Sequence, residues 1–194
     1  MLRFSSLPGL SVLKPSIVIA LAVAVSGCQK SESDDAQNGS VKATASSATF
    51  TGALRNNEDL SISAKLIDTA QLGTALDGEG SYTVFLPVND AWESLDATER
   101  NAIEAKENKP QLIAVLRQHI APGYVLAADL ERGLSEKDGS VTLNTMGAMP
   151  VTLRRDGETI MLGEGTAAPR IVGVPIVAGN DVIYRIDRLI PPPS

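Results

Sequence analysis

The sequence holds one cysteine, one histidine and one tryptophan among 194 residues. A single cysteine excludes an internal disulfide, and a single histidine excludes a histidine-rich metal centre. Basic residues are in deficit, with 17 Lys plus Arg against 23 Asp plus Glu and a formal charge of −6. Setting aside residues 1–27 removes Arg3 and Lys14 and takes the charge to −8. Such a balance argues against tight nucleic-acid binding, which needs clustered Lys and Arg to neutralise phosphates. No apolar run reaches the about 20 residues of a comfortable membrane span. Metal-ligand spacing, a nucleophile elbow and a dinucleotide fingerprint are all missing. Gly163-Glu164-Gly165 has no following lysine or helix start, so it makes a poor phosphate cradle. On residues alone the chain reads as a binding or structural module without a cofactor, not as an enzyme.

The N-terminal segment reads as an address. Residues 1–15 carry Arg3 and Lys14 and no acid, an apolar run follows from Ile17 to Val25, and Ser26-Gly27-Cys28 closes it. A positive start, a short apolar run and a small-residue exit are the parts of a secretory signal. Val25-Ser26-Gly27-Cys28 resembles the bacterial lipobox, whose cysteine is lipidated and becomes the new N-terminus. The competing reading is a cleaved signal followed by an incidental free cysteine. An unpaired thiol in an oxidising compartment is a liability, which a thioether-linked lipid removes. Each acyl methylene buried in the membrane adds about 0.8 kcal/mol. The lipobox resemblance thus implies a signal peptide over residues 1–27 and a lipid on Cys28, placing the chain in a bacterial cell envelope. Gln29, instead of Asp, points to the outer membrane, with the chain periplasmic or surface-exposed. Residues 28–50 are mostly small and polar and are expected to form a tether with a reach of roughly 25 Å. The folded domain is then expected over residues 51–194.

Within that domain, Leu60, Ala64, Ile67 and Ala70 recur at helical spacing, with Asn56 or Asn57 placed to cap the helix. Tyr82 to Leu86 reads as a buried strand ended by Pro87, and Asn89 stands where the next helix needs a cap. Asp96 and Glu99 form a capping-box pattern. Asn108-Lys109-Pro110 opens a helix whose Leu112, Ile113, Leu116 and Ile120 share one face, stopped by Pro122-Gly123. Beyond residue 138 the pattern alternates as in strands, with turns at Asp138-Gly139, Asp156-Gly157 and Gly179-Asn180-Asp181. Early helices and late antiparallel strands indicate an α+β domain.

His119 lies on the apolar side of the best helix, and two readings stand beside each other. It is either a general base or partner contact, or a core histidine bonded to nearby backbone, and no nucleophile or orienting carboxylate is spaced to support the base. Arg154 and Arg155 flank a hairpin turn, where solvation explains paired charges. Tyr82, Phe85 and Trp92 surround one strand–helix junction and read as a core anchor.

Three segments together resemble a fasciclin-like domain, and the resemblance covers about residues 51–192. They are Thr83-Val84-Phe85-Leu86-Pro87-Val88-Asn89-Asp90-Ala91-Trp92, then Leu116 to Gly123 with Tyr124 and Asp129-Leu130 in step, and finally Asn180 to Pro191. The resemblance implies a single α+β domain with helices packed on a mostly antiparallel sheet or wedge. It implies structural roles for Thr83, Phe85, Pro87, Asn89 and Asp187, and a partner-binding segment at His119, Pro122, Gly123 and Tyr124. It also implies cell-surface adhesion or contact with an extracellular or envelope protein or polysaccharide. Carriage of a small apolar molecule such as a carotenoid is the alternative. The family's tyrosine before the histidine is Gln118 here, its usual glycine is Asp181 and a histidine is Tyr184. Those departures leave the fold intact and weaken any inherited ligand specificity.

Overall fold

The computed structural model describes residues 44–46, 48–136 and 139–191. The expected signal segment, Cys28, most of the tether, Asp138 and Pro192-Pro193 lie outside the described residues.

Described structure begins before residue 51. A strand β1 (Thr44–Ser46) runs parallel to β7 (Ile171–Ala178). Helix α1 (Phe50–Arg55) follows, with the Thr49 hydroxyl accepting the Gly52 N–H at 3.2 Å as its cap. Phe50 is 1% exposed and belongs to the core. Polar composition hid β1 because strand pairing uses backbone groups that every residue carries.

A 3₁₀ turn at Glu58–Leu60 leads into α2 (Ser61–Ala70), then α3 (Gly73–Leu76) and β2 (Tyr82–Pro87). Helices α4 (Asn89–Glu93), α5 (Ala97–Glu104) and α6 (Lys109–Gln118) come next, followed by β3 (Ile120–Pro122) and α7 (Ala127–Leu134). Strands β4 (Ser140–Leu143), β5 (Val151–Asp156) and β6 (Thr159–Leu162) precede β7, and β8 (Asp181–Ile186) closes the series. Asp96 caps α5 as expected, its Oδ1 accepting the N–H groups of Thr98 and Glu99. Helix α6 starts with Pro110 in its first turn but ends at Gln118, so Ile120 belongs to β3 and not to the helix. Gly123, with φ of 110°, makes the turn after that strand.

Five strands form one sheet in the order β1-β7-β8-β2-β3, and β4-β5-β6 form a second. The second sheet is antiparallel throughout, whereas the first is mixed, with β1–β7 and β2–β8 parallel. The fold is α+β, with β2 and β8 adjacent in the interior of the first sheet.

Those two strands are buried on both faces, and the two-residue period assigns their side chains to separate cores. Val84, Leu86 and Ile183 pack with Phe50, Leu66, Ile67, Trp92, Leu112 and Leu116 on the helical side. Phe85, Val182, Tyr184 and Ile186 pack with Leu130, Leu153 and Leu162 on the side of α7 and the second sheet. The expected Phe85–Trp92 anchor is therefore divided between opposite faces. Phe85 instead stacks on Tyr184, with ring centroids 5.6 Å apart.

Candidate functional site

His119 caps the C-terminus of α6 and is 0% exposed. Its Nδ1 lies 2.8 Å from the Val115 carbonyl, and its Nε2 accepts the Ile190 N–H at 3.0 Å. These partners require the proton on Nδ1. Burial lowers the pKa from 6.5 to about 4, against the opposing bond to Val115, so the ring is neutral at pH 7. A buried neutral ring with both nitrogens engaged offers no surface to a partner. The structure places His119 in the core, with both ring nitrogens bonded inside the fold.

The remaining residues of that segment lie at the surface. Pro122 and Gly123 are exposed, and Tyr124 is 40% exposed. Thr83, buried in β2, holds the turn in place: its hydroxyl donates to the Gly123 carbonyl at 2.8 Å and accepts the Val125 N–H at 3.0 Å. The Gly123 N–H donates to the Ser81 carbonyl at 2.8 Å, and the Tyr184 hydroxyl donates to the Val125 carbonyl at 3.0 Å. Burial raises the pKa of that phenol above its ordinary value, ahead of the nearby Asp129 and Glu131, so it stays a donor. Tyr124 thus projects from a turn anchored on both sides.

Asn89 has a different role from the expected one. The cap position of α4 is Val88, and the Asn89 side chain reaches α2. Its Oδ1 accepts the Ile62 N–H at 3.0 Å, while Nδ2 donates to the Glu58 carbonyl and the Ser61 hydroxyl. Neither Asn56 nor Asn57 caps α2; Asn57 donates to the Ala53 carbonyl at 2.7 Å. Pro87 offers its carbonyl to the Ser63 hydroxyl at 2.7 Å, and that same hydroxyl accepts the Trp92 indole N–H at 2.8 Å. Asp187 accepts the Arg170 N–H at 2.7 Å, joining the end of β8 to the start of β7. Each of these motif residues closes a contact between elements distant in sequence.

Two polar positions were not foreseen as organisers. Gln118 is 5% exposed, and its amide donates to the Met149 carbonyl at 2.7 Å and accepts the Met149 N–H at 3.3 Å. It clamps the segment between β4 and β5, where a Cβ on Gly147 would lie 2.4 Å from the Gln118 Oε1. The only sequence cue was the departure from tyrosine. Asp181 is 1% exposed; one oxygen accepts the Tyr82 N–H at 2.7 Å, and the other has no partner among the described residues. Burial raises its pKa to about 6, the Tyr82 bond opposing and Asp77 adding.

Among the described residues no group of three His, Cys, Asp or Glu converges as a metal site, and no described helix is long and apolar enough to cross a membrane.

Residues 58–192 match the family model described as Fasciclin domain. The chain is 26% identical to protein sll1483 of Synechocystis over 98% of its own length and 94% of that protein. It is 34% identical to human periostin over 34% of its length, spanning only 8% of periostin. It is also 27% identical to immunogenic protein MPB70 of Mycobacterium bovis, over 75% of this chain and 63% of that one. Among solved structures, a FAS1 domain pair from the insect cell adhesion molecule fasciclin I superposes with a TM-score of 0.56 at 17% identity. That match covers 75% of this chain and 51% of the other.

Proposed function

The chain belongs to the fasciclin domain family, and from that premise we propose that it is a lipid-anchored extracytoplasmic binding module of a bacterial envelope. Fasciclin domains occur in adhesion and extracellular proteins, which supports a general extracellular binding role. The finer reading is adhesion or envelope contact with a protein or polysaccharide, through a chain tethered to the outer membrane by lipid on Cys28.

The observation that carries this reading is the Pro122-Gly123-Tyr124 turn. Tyr124 is exposed while the backbone on either side is fixed by the buried Thr83 hydroxyl. A fixed backbone lowers the ordering cost of binding, and tyrosine supplies contact area with few rotatable bonds. The other candidate chemistry is consumed internally, with His119 and Asn89 bonded within the fold. The pocket between α7, β6 and β7 holds about 260 Å³, below the about 300–1,000 Å³ of typical small-molecule sites. A larger depression along α1 and α2, of about 590 Å³, is lined by Arg55, Glu58, Lys65 and Asp68 and offers no long apolar groove.

Retention of the full-length chain on envelope protein and polysaccharide fractions tests the proposal. Tyr124→Ser is expected to lose retention on the protein fraction while its unfolding midpoint stays unchanged. Equal retention of both proteins contradicts the assigned surface, and a pigment extracted from the native protein supports carriage instead. Cys28→Ser is expected to leave the detergent phase; unchanged partitioning contradicts the lipid anchor.

A further inference from the structure

The outward face of the second sheet carries a row of three residues that neither core uses. Arg154 on β5 pairs directly across from Met161 on β6, and Met161 forms an antiparallel bridge to Arg170 just before β7. Residues directly opposite across antiparallel strands share a face, and adjacent strands lie about 4.8 Å apart. The two arginine Cα atoms therefore stand roughly 10 Å apart, one on each side of Met161. Met161 is only 8% exposed, although it belongs to neither core cluster. Long arginine stems flank it, a side-chain type that packs on apolar groups while its charged head stays in water.

The heads face a depression lined by Arg154, Arg155, Asp156, Met161, Gly165, Thr166 and Arg170, of about 350 Å³. The Arg170 guanidinium has no ion pair or hydrogen bond among the described residues. Arg154 donates to the Gly163 carbonyl at 3.0 Å and meets Glu164 at 3.3 Å, and the Glu164 side chain is 87% exposed. An ion pair that exposed is weak and exchangeable. The Gly165 and Thr166 N–H groups also have no acceptor among the described residues. Arg188 reaches the same loop, donating to the Thr166 carbonyl at 3.4 Å. Arg155, by contrast, is engaged by Glu131 of α7. The opposing charges at the rim are Glu164 and Asp156.

We infer that this depression binds a tetrahedral oxyanion, a sulfate or phosphate ester borne on an envelope polysaccharide. Guanidinium groups converging from two sides suit an oxyanion, which accepts charge-assisted bonds in several directions. Beyond residue 139 all five basic residues are arginine, none lysine, in a chain whose net charge is −6. A local concentration of guanidinium on an acidic protein favours an anionic group over a neutral one. Glu164 occupies Arg154 until the ligand displaces it. The site deepens the binding-module reading and rests on it only in assigning the anion to a polysaccharide.

The full-length chain, titrated with inorganic sulfate, inorganic phosphate, dextran sulfate and neutral dextran, tests this assignment. The native chain is expected to bind both inorganic anions weakly and dextran sulfate more tightly, and to ignore neutral dextran. Arg170→Ala and Arg154→Ala should each lower affinity about tenfold, the size of one charge-assisted bond. Glu164→Gln should raise affinity, and Arg132→Ala, away from the depression, should leave it unchanged. Anion binding without dextran sulfate binding keeps the site and removes the polysaccharide. Arginine variants that bind like the native chain, or a Glu164→Gln variant without gain, overturn the site itself. Neither result alters retention through Tyr124, so failure here is distinguishable from failure of the binding module.

Discussion

The Nε2 atom of His119 accepts the backbone N–H of Ile190 at 3.0 Å, across 71 residues of sequence. The bond ties the end of α6 to the segment that follows β8, and the Val115 carbonyl fixes the other ring nitrogen. His119→Ala leaves a buried N–H and a carbonyl unpaired and opens a cavity. A loss of about 3–5 kcal/mol is expected from cavity and unpaired-group costs together. Urea unfolding followed through the single tryptophan measures it, and a loss under about 1 kcal/mol contradicts the structural role.

Ser63 bridges Trp92 and Pro87 within the helical core. Ser63→Ala removes the acceptor of a buried indole N–H and the donor to a buried carbonyl. The expected cost is about 2–4 kcal/mol, since two partners are left unsatisfied. Tryptophan emission in the folded variant should shift as Trp92 loses its hydrogen bond. Unchanged emission and stability together contradict the bridge.

Gly147 admits no side chain without displacement, because a Cβ would meet the Gln118 side chain at 2.4 Å and its Cα at 2.8 Å. Gly147→Ala is expected to destabilise by about 1–3 kcal/mol through overpacking. Hydrogen exchange should speed up at the Met149 N–H, which Gln118 accepts, before it does so in β2. Uniform exchange throughout contradicts a local clamp.

Acid stability rests on two buried groups that act in opposite directions. His119 has a folded pKa of about 4, lowered by burial from 6.5. The unfolded chain takes up that proton first, so stability falls as pH drops from 6.5 to about 4. Asp181 has a folded pKa of about 6, raised mainly by burial from 3.8. Here the folded chain takes up the proton first, so stability rises as pH drops from about 6 to 3.8. The slopes offset each other over the shared window. Asp181→Asn keeps an acceptor for Tyr82 and leaves the His119 slope alone, so the variant should lose stability on acidification more steeply than the native chain. Unfolding midpoints at a series of pH values check this, and parallel profiles contradict it.

The legible parts of the fold were those whose physics is local. The Tyr82–Pro87 strand, the Asp96 cap and the proline-opened α6 each follow from residues within one element. The core reading of His119 followed from its place on an apolar helix face. What stayed hidden depends on partners far away in the chain. Asn89 looked like the cap of its own helix because its real acceptor duty, to Ile62, lies 27 residues earlier. Strand β1 carries no apolar signal, since its contribution is backbone pairing with β7. Arg154 and Arg155 read as one solvated pair until the pairing with β6 set Arg154 in line with Arg170 and left Arg155 to Glu131. Side-chain identity supplied the donors, and only the register brought them to one place.

Attachment of cells that lack the chain, complemented by the native protein or by Tyr124→Ser, tests the central claim most directly. Deletion is expected to reduce attachment to matrix or neighbouring cells, with native protein restoring it and Tyr124→Ser failing to do so at equal abundance. Attachment unchanged by deletion, or restored equally by both proteins, contradicts the account.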